Sequence, residues 1–169
     1  MVLKYNTPIK SVFVLGSSSE IAKEICIQLA KKGCESFHLL ARDIKKNKQL
    51  VKILKENNIK NIVQDDFDLL NDPEIKKEVG QYDLYLITAG FLGESDLASI
   101  NISELIRITK INYSGLLKWL ISIATPERLN SVSRLWIFSS VAGDIGKPSN
   151  YQYGAAKAAL SCFCQGLFL

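Results

Sequence analysis

The sequence has little that could hold a metal ion. It carries one histidine, His38, and four cysteines, Cys26, Cys34, Cys162 and Cys164, whose spacing frames no ligand set. That pattern argues against a structural zinc site and suits reduced, mostly buried thiols in a cytosolic protein. No apolar run approaches membrane-spanning length, and the amino-terminal MVLKYNTPIK lacks the apolar core of a signal peptide. The expected location is therefore the cytoplasm, with no membrane partner. The net charge of +4 is spread along the chain, without a dense basic block interleaved with aromatics. Nothing in that distribution asks for a nucleic-acid partner. Internal repeats, low-complexity tracts and linkers are also lacking.

What is present fits one globular domain. The 169 residues suffice to bury a substantial core, and 47% hydrophobic with 22% charged content is ordinary for such a protein. Ser11 to Leu15 is a short apolar run ending at Gly16, as expected of a buried strand. Ile21, Ile25 and Leu29 then recur at helical spacing, and Gly33 ends that helix as a C-cap. Ser36 to Ala41 reads as a second strand, Asp43 to Asn57 as a lysine-rich amphipathic helix, and Asn61 to Gln64 as a third strand before an acidic turn. Asp72-Pro73-Glu74 has the composition of a helix start. Asp83 to Thr88 is the fourth strand. A long helix with Ser103 as N-cap then runs to about Thr125, before Pro126. Leu135 to Ser139 is the fifth strand, and the last helix begins near Asn150. Alternating strands and helices predict an α/β fold with a doubly wound parallel sheet between helix layers.

The chemistry concentrates in one stretch, SSVAGDIGKPSNYQYGAAKAA, from Ser139 to Ala159. In a helix favoured by four alanines, Tyr153 and Lys157 are i,i+4 neighbours on one face. A phenol ordinarily titrates near ~10, and an adjacent ammonium favours its phenolate, bringing tyrosine toward useful acid–base chemistry. Ser140 follows an apolar strand, so its hydroxyl belongs at a carboxyl edge of the sheet, where open α/β sheets bind ligands. All three side chains are expected to face one cleft. A tyrosine four residues before a lysine is more often a solvated helix face, so this pair gains its weight from the rest of the chain. The first turn, GSSSEIA, is one such companion: a glycine after a strand, then serines opening a helix whose free N–H groups can bind phosphate. Read alone, Ser19 merely caps that helix and Glu20 complements its dipole.

Taken together, these motifs resemble the short-chain dehydrogenase/reductase family, over nearly the whole chain. Leu15, Gly16, Glu20 and Ala22 stand where that family has Thr-Gly-x-x-x-Gly-x-Gly, and Ile87-Thr88-Ala89-Gly90 resembles its Asn-Asn-Ala-Gly. Asn112, Ser140, Tyr153 and Lys157 match its catalytic asparagine, serine, tyrosine and lysine. The resemblance implies a Rossmann-type sheet of order 3-2-1-4-5 and hydride transfer between a nicotinamide and a carbonyl or secondary alcohol. It makes Tyr153 the proton donor and acceptor, and gives Lys157 the task of lowering the tyrosine's pKa and holding the nicotinamide ribose. Ser140 would hold the substrate oxygen, and Asn112 a water leading from Lys157 to solvent. The cofactor would lie against Gly16, Ser17, Ser18, Ser19, Ile21, Arg42, Asp68, Leu69, Ala89, Gly90, Tyr153 and Lys157, with no metal. Arg42 follows Ala41, which stands at the family's acidic position, so NADP(H) is favoured over NAD(H). Asp43 could neutralise that arginine or merely cap the next helix. The alternative is a nucleotide-binding fragment or redox-sensing module without turnover.

Family members continue past the final helix through two more strands and a substrate-binding segment. The 1–169 dinucleotide-binding domain is accordingly expected to be incomplete at its carboxyl end and, alone, to associate or aggregate with little turnover. The full-length form is expected to be a homo-oligomer.

Overall fold

The run Ser11–Leu15 forms strand β1, and every residue from Val12 to Leu15 is buried. Its start is fixed by one carboxylate: Asp83 Oδ2 accepts the N–H groups of Lys10 and Ser11 at 2.8 and 2.9 Å. That use of Asp83 keeps it out of the strand it was expected to open. The structure, a computed structural model, describes residues 7–71, 79–94, 96, 100–129 and 133–167. The helix start expected at Asp72-Pro73-Glu74 lies outside the described residues, as do Phe168 and Leu169.

The remaining strands are β2 (Ser36–Ala41), β3 (Asn61–Asp66), β4 (Leu84–Ile87) and β5 (Arg134–Ile137), all parallel. Their order, β3-β2-β1-β4-β5, is that of the α/β, Rossmann-type fold. β4 is buried throughout, as β1 is from Val12 onward, whereas β3 and β5 form the edges, where Val63 and Trp136 are exposed. β3 runs two residues beyond its expected end, through Asp65 and Asp66. Asp65 is held there because its carboxylate meets His38 Nε2 at 2.8 Å, while His38 Nδ1 meets the Tyr82 hydroxyl at 2.8 Å.

By its internal packing the chain falls into two units. The first comprises Met1–Asp68, Val79–Ala89 and Thr125–Ile137, and contains the whole sheet. Helices α1 (Glu20–Lys31) and α2 (Lys48–Glu56) pack on each other within it. Ser19 Oγ caps α1 through Ala22 N, and Gly33, at φ +89°, turns the chain out of it. The expected lysine-rich helix is shorter than its sequence span. Asp43 Oδ1 takes Lys45 N and starts a 3₁₀ turn over Ile44–Asn47 before α2 begins.

The second unit comprises Leu69–Glu78, Gly90–Ala124 and Phe138–Leu169. The single long helix expected up to Thr125 is divided into α3 (Ile102–Thr109), a π-helical turn (Lys110–Ser114) and α4 (Gly115–Ile123). Gly115 N reaches back five residues to Lys110 O, and Asn112 Nδ2 takes Ile108 O, which together hold the wider turn. Asn101, not Ser103, is the N-cap; its Oδ1 accepts Ser103 N. Helix α5 (Tyr151–Leu167) packs on α3, on the π turn and on the short 3₁₀ turn Val141–Gly143. Among the described residues no helix is long and apolar enough to cross a membrane, and no group of His, Cys, Asp or Glu could hold a metal.

Candidate active site

In the first unit, β1 ends in a turn that only glycine can make. Gly16 has φ +99°, and a Cβ there would lie 2.9 Å from Thr88 C and closer still to Ala89 N and Cα. Thr88 N and Ala89 N are themselves bonded to Leu15 O, and Thr88 Oγ1 donates to Gly16 O at 3.0 Å. The turn and the end of β4 are thus locked backbone to backbone. Three donors also converge on Leu40 O: Gly16 N, Ser17 N and Ser17 Oγ. The Ser17 hydroxyl is completed by Asn47, a fully buried side chain whose Nδ2 donates to it at 2.9 Å. Ser17 therefore braces the turn from inside, with both its donors already used.

What faces outward is different. Ser18 and Ile21 are exposed, and among the described residues no protein acceptor takes the N–H groups of Glu20 or Ile21. Two free donors at the positive end of a 12-residue helix suit an anion. The Glu20 carboxylate, which would oppose one, is drawn to Lys23 at 3.3 Å. Arg42 is exposed just after β2. Asp43 has its carboxylate on Lys45 N as a cap, and no ion pair joins it to Arg42 among the described residues. Asp68 is half-buried, Leu69 and Ala89 buried.

The second unit gathers the other predicted residues. Lys157 is only 3% exposed, and its ammonium donates to Phe138 O at 3.0 Å while sitting 5.8 Å from the Tyr153 ring centroid. Burial pushes that ammonium below its ordinary pKa. A Cβ on Gly90 would lie 3.3 Å from Asn112 Oδ1 and 3.6 Å from Lys157 Nζ, so amide and ammonium border the same small space. Ser140 caps the turn Val141–Gly143, its Oγ accepting Ala142 N at 3.2 Å. That turn presses on α5 beside the tyrosine: Gly154 meets Ala142 O so closely that a side chain would not fit. Ser139 adds bonds to Lys157 O and Ser161 Oγ, at 3.3 and 2.6 Å. The Ser140 turn, Tyr153, Lys157, Asn112 and Gly90 are thereby brought together.

Sequence reasoning missed Asn47, Glu104 and Arg107. Asn47 stands among lysines on a solvated stretch, and no sequence pattern marks it as buried. Glu104 directly follows the expected N-cap Ser103, where an acidic residue is ordinary, and nothing in the sequence marks it as buried.

A model of the short chain dehydrogenase family matches residues 10–169. An uncharacterised oxidoreductase of Listeria monocytogenes is 28% identical over 158 residues, which are 89% of this chain and 63% of that protein. The 3-oxoacyl-[acyl-carrier-protein] reductase of Staphylococcus aureus is 27% identical over 158 residues, 89% of this chain and 64% of its own length. The chain thus spans less than two thirds of these relatives. Two solved structures share the fold, each with a TM-score of 0.76. An NADPH-bound actinorhodin polyketide ketoreductase is 20% identical over 94% of this chain and 64% of its own. An NAD+-bound xylitol dehydrogenase is 19% identical over 93% and 63%. With the family model covering nearly every residue from β1 to the end of α5, the chain belongs to the short-chain dehydrogenase family of oxidoreductases.

Proposed function

We propose that the protein is an NADP(H)-dependent oxidoreductase acting on a carbonyl or secondary-alcohol substrate. The observation that carries this reading is the buried Lys157 ammonium over the Tyr153 ring, with Asn112 Oδ1 across Gly90. When bound, the nicotinamide supplies or accepts the hydride; the proton chemistry belongs to the chain. Tyr153 gives its hydroxyl proton to the substrate oxygen in reduction and recovers it in oxidation. Ser140 Oγ already accepts Ala142 N–H, which leaves its own proton to donate to the substrate oxygen. Asn112 has both amide protons committed, to Phe91 O and Ile108 O, and Oδ1 accepts Phe91 N. A water beside Lys157 would therefore meet the remaining lone pair of Oδ1 or a backbone carbonyl.

Gly16, Ser18, Ser19 and Ile21 would hold the cofactor phosphates, with Ser17 as the brace. Asp68 and Leu69 would meet the adenine, and Ala89, Gly90, Tyr153 and Lys157 the nicotinamide side. Neighbours of this fold bind NADPH in one case and NAD+ in another, so the choice rests on Arg42. Its planar fork suits a 2′-phosphate, and Asp43 is occupied elsewhere. NADPH is expected to bind about tenfold or more tightly than NADH, the worth of one charge-assisted hydrogen bond, and Arg42→Ala to erase the difference. Fluorescence titration with both cofactors checks this, and equal affinities in the unmutated protein would refute it.

The reading as a whole is tested by NADPH oxidation with a panel of aldehydes and ketones, alongside cofactor binding. Turnover supports it. Binding without turnover identifies a non-catalytic nucleotide-binding protein, and the absence of both signals overturns the proposal.

A further inference from the structure

The loop leaving β4 is fastened to one face of α3 and the π turn by Asn112 and by residues that the proposed reaction itself does not use. Phe91 gives its N–H to Asn112 Oδ1 at 3.0 Å and accepts Asn112 Nδ2 at 2.6 Å. Its ring lies under the Arg107 guanidinium, 4.1 Å from the centroid. Arg107 Nη1 in turn meets Glu104 Oε2 at 3.5 Å, and Glu104 Oε1 accepts Glu94 N at 3.3 Å. Gly93, at φ +72°, lies so close to Ile108 that an added Cβ would meet its side chain at 2.5 Å. Glu104, Arg107, Ile108 and Asn112 follow each other at helical intervals of three, one and four residues, which makes a continuous stripe. Glu104 is buried to 8% exposure, although a carboxylate on an outer helix would ordinarily be solvated. Leu92 is the loop's exposed residue.

We infer that Phe91, Arg107 and Glu104 are positioning residues for the Asn112 and Lys157 centre: they hold the Gly90–Phe91 backbone on the stripe, and thereby keep Asn112 Oδ1 and Lys157 Nζ in place about Gly90. This rests on the reading above only for the use that centre is put to. Asn112 has three hydrogen bonds, two of them to Phe91. A loop that swings away leaves the amide with Ile108 O alone and free to turn. The space beside Gly90 then opens to water, and the desolvation that holds the Lys157 ammonium down is relieved. The groups about that ammonium are Phe138 O, the Tyr153 ring, Gly90 and Asn112 Oδ1; the charged pair of Arg107 and Glu104 acts on it through Phe91.

Competitive acetylation of the full chain across a pH series, read at Lys157 by peptide mass spectrometry, gives its titration midpoint without cofactor or substrate. In Phe91→Ala, Arg107→Ala and Glu104→Ala the midpoint is expected to rise toward that of exposed lysines, so that the uncharged fraction at about pH 8 falls about threefold. Arg107→Lys keeps a cation over the ring and Glu104→Gln keeps the acceptor for Glu94 N; both should return the midpoint most of the way. With turnover in hand, the alanine variants are expected to lose on the order of tenfold in kcat, the scale of a small misplacement, with little change in cofactor KM. Arg107 is 42% exposed, so Arg107→Ala should fold even if Glu104→Ala does not. An unmoved Lys157 midpoint in folded Arg107→Ala overturns the inference. A lack of turnover in the unmutated chain would count against the proposed reaction and leave the labelling result to decide this one.

Discussion

Tyr153→Phe is expected to lower turnover about a thousandfold while leaving the fold intact. The change removes one hydroxyl and keeps the ring over which the Lys157 ammonium sits. General acid–base groups contribute roughly 10²–10⁴ in rate, and the Tyr153 hydroxyl is the group to which the proposed reaction assigns the proton transfer. Lys157→Met should be similarly inactive, but for a different physical reason, and its stability tells the two apart. Among the described residues the buried ammonium has one acceptor, Phe138 O, and methionine fills a similar volume without a charge to desolvate. At neutral pH the methionine variant should therefore be no less stable than the parent. The sign with pH follows from the lowered folded pKa. Between that value and the ordinary one of 10.5, the unfolded chain binds more of the proton, so the parent gains stability as pH rises through this window. The advantage of Lys157→Met should shrink accordingly in urea titrations run from neutral to alkaline pH. Tyr153→Phe retaining activity within about tenfold of the parent would remove tyrosine from its assigned role.

How much of this was legible depends on whether a residue's job is periodic or tertiary. β1 and β2 appear with the bounds read from their apolar runs, because a buried parallel strand writes its whole length in β-branched and aliphatic residues. Gly33 is where a helix ends and the chain turns left-handed, as expected of a glycine after a periodic stretch. The misses share one cause: a side chain recruited by a distant partner. Asp65 joins β3 because His38, 27 residues earlier, supplies its hydrogen bond. Asp83 leaves β4 to cap the start of β1 from 72 residues away. Asn112 widens a helix whose local sequence shows no break, since two of its bonds go to Phe91, 21 residues back. In the candidate site, the Tyr153 and Lys157 pair could be read from spacing, whereas the strand expected to run from Leu135 to Ser139 spans Arg134–Ile137, so Ser140 stands in the turn beyond it and not at the strand's last residue. The stripe of Glu104 and Arg107 could not, because an i,i+3 pair on an amphipathic helix looks the same whether it faces water or a loop.

Gly16→Ala should destabilise the protein by about 3 kcal/mol or more and weaken binding of a dinucleotide at least tenfold. Two costs add. A φ of +99° is outside the range an alanine adopts without strain, a penalty of about 1–3 kcal/mol. The new Cβ would also press into Thr88 and Ala89, whose backbone cannot retreat because both N–H groups are spent on Leu15 O. Nor can the turn lift away, since Gly16 N and the Ser17 N–H and hydroxyl are anchored on Leu40 O. Overpacking against fixed backbone costs roughly another 1–3 kcal/mol, a large part of the 5–15 kcal/mol that holds a domain folded. The helix N-terminus that should receive the phosphates moves with the turn, so affinity falls even in the fraction that folds. Ser18→Ala is the matched control: the residue is exposed beside the same turn, and its loss should leave the urea midpoint nearly unchanged. Urea titration of both variants, with ADP binding followed on the folded protein, gives the comparison. An alanine at position 16 that unfolds at the parent's midpoint and binds ADP with the parent's affinity would mean that β4 does yield there, and that the turn is not locked between Leu15, Leu40 and Ala89.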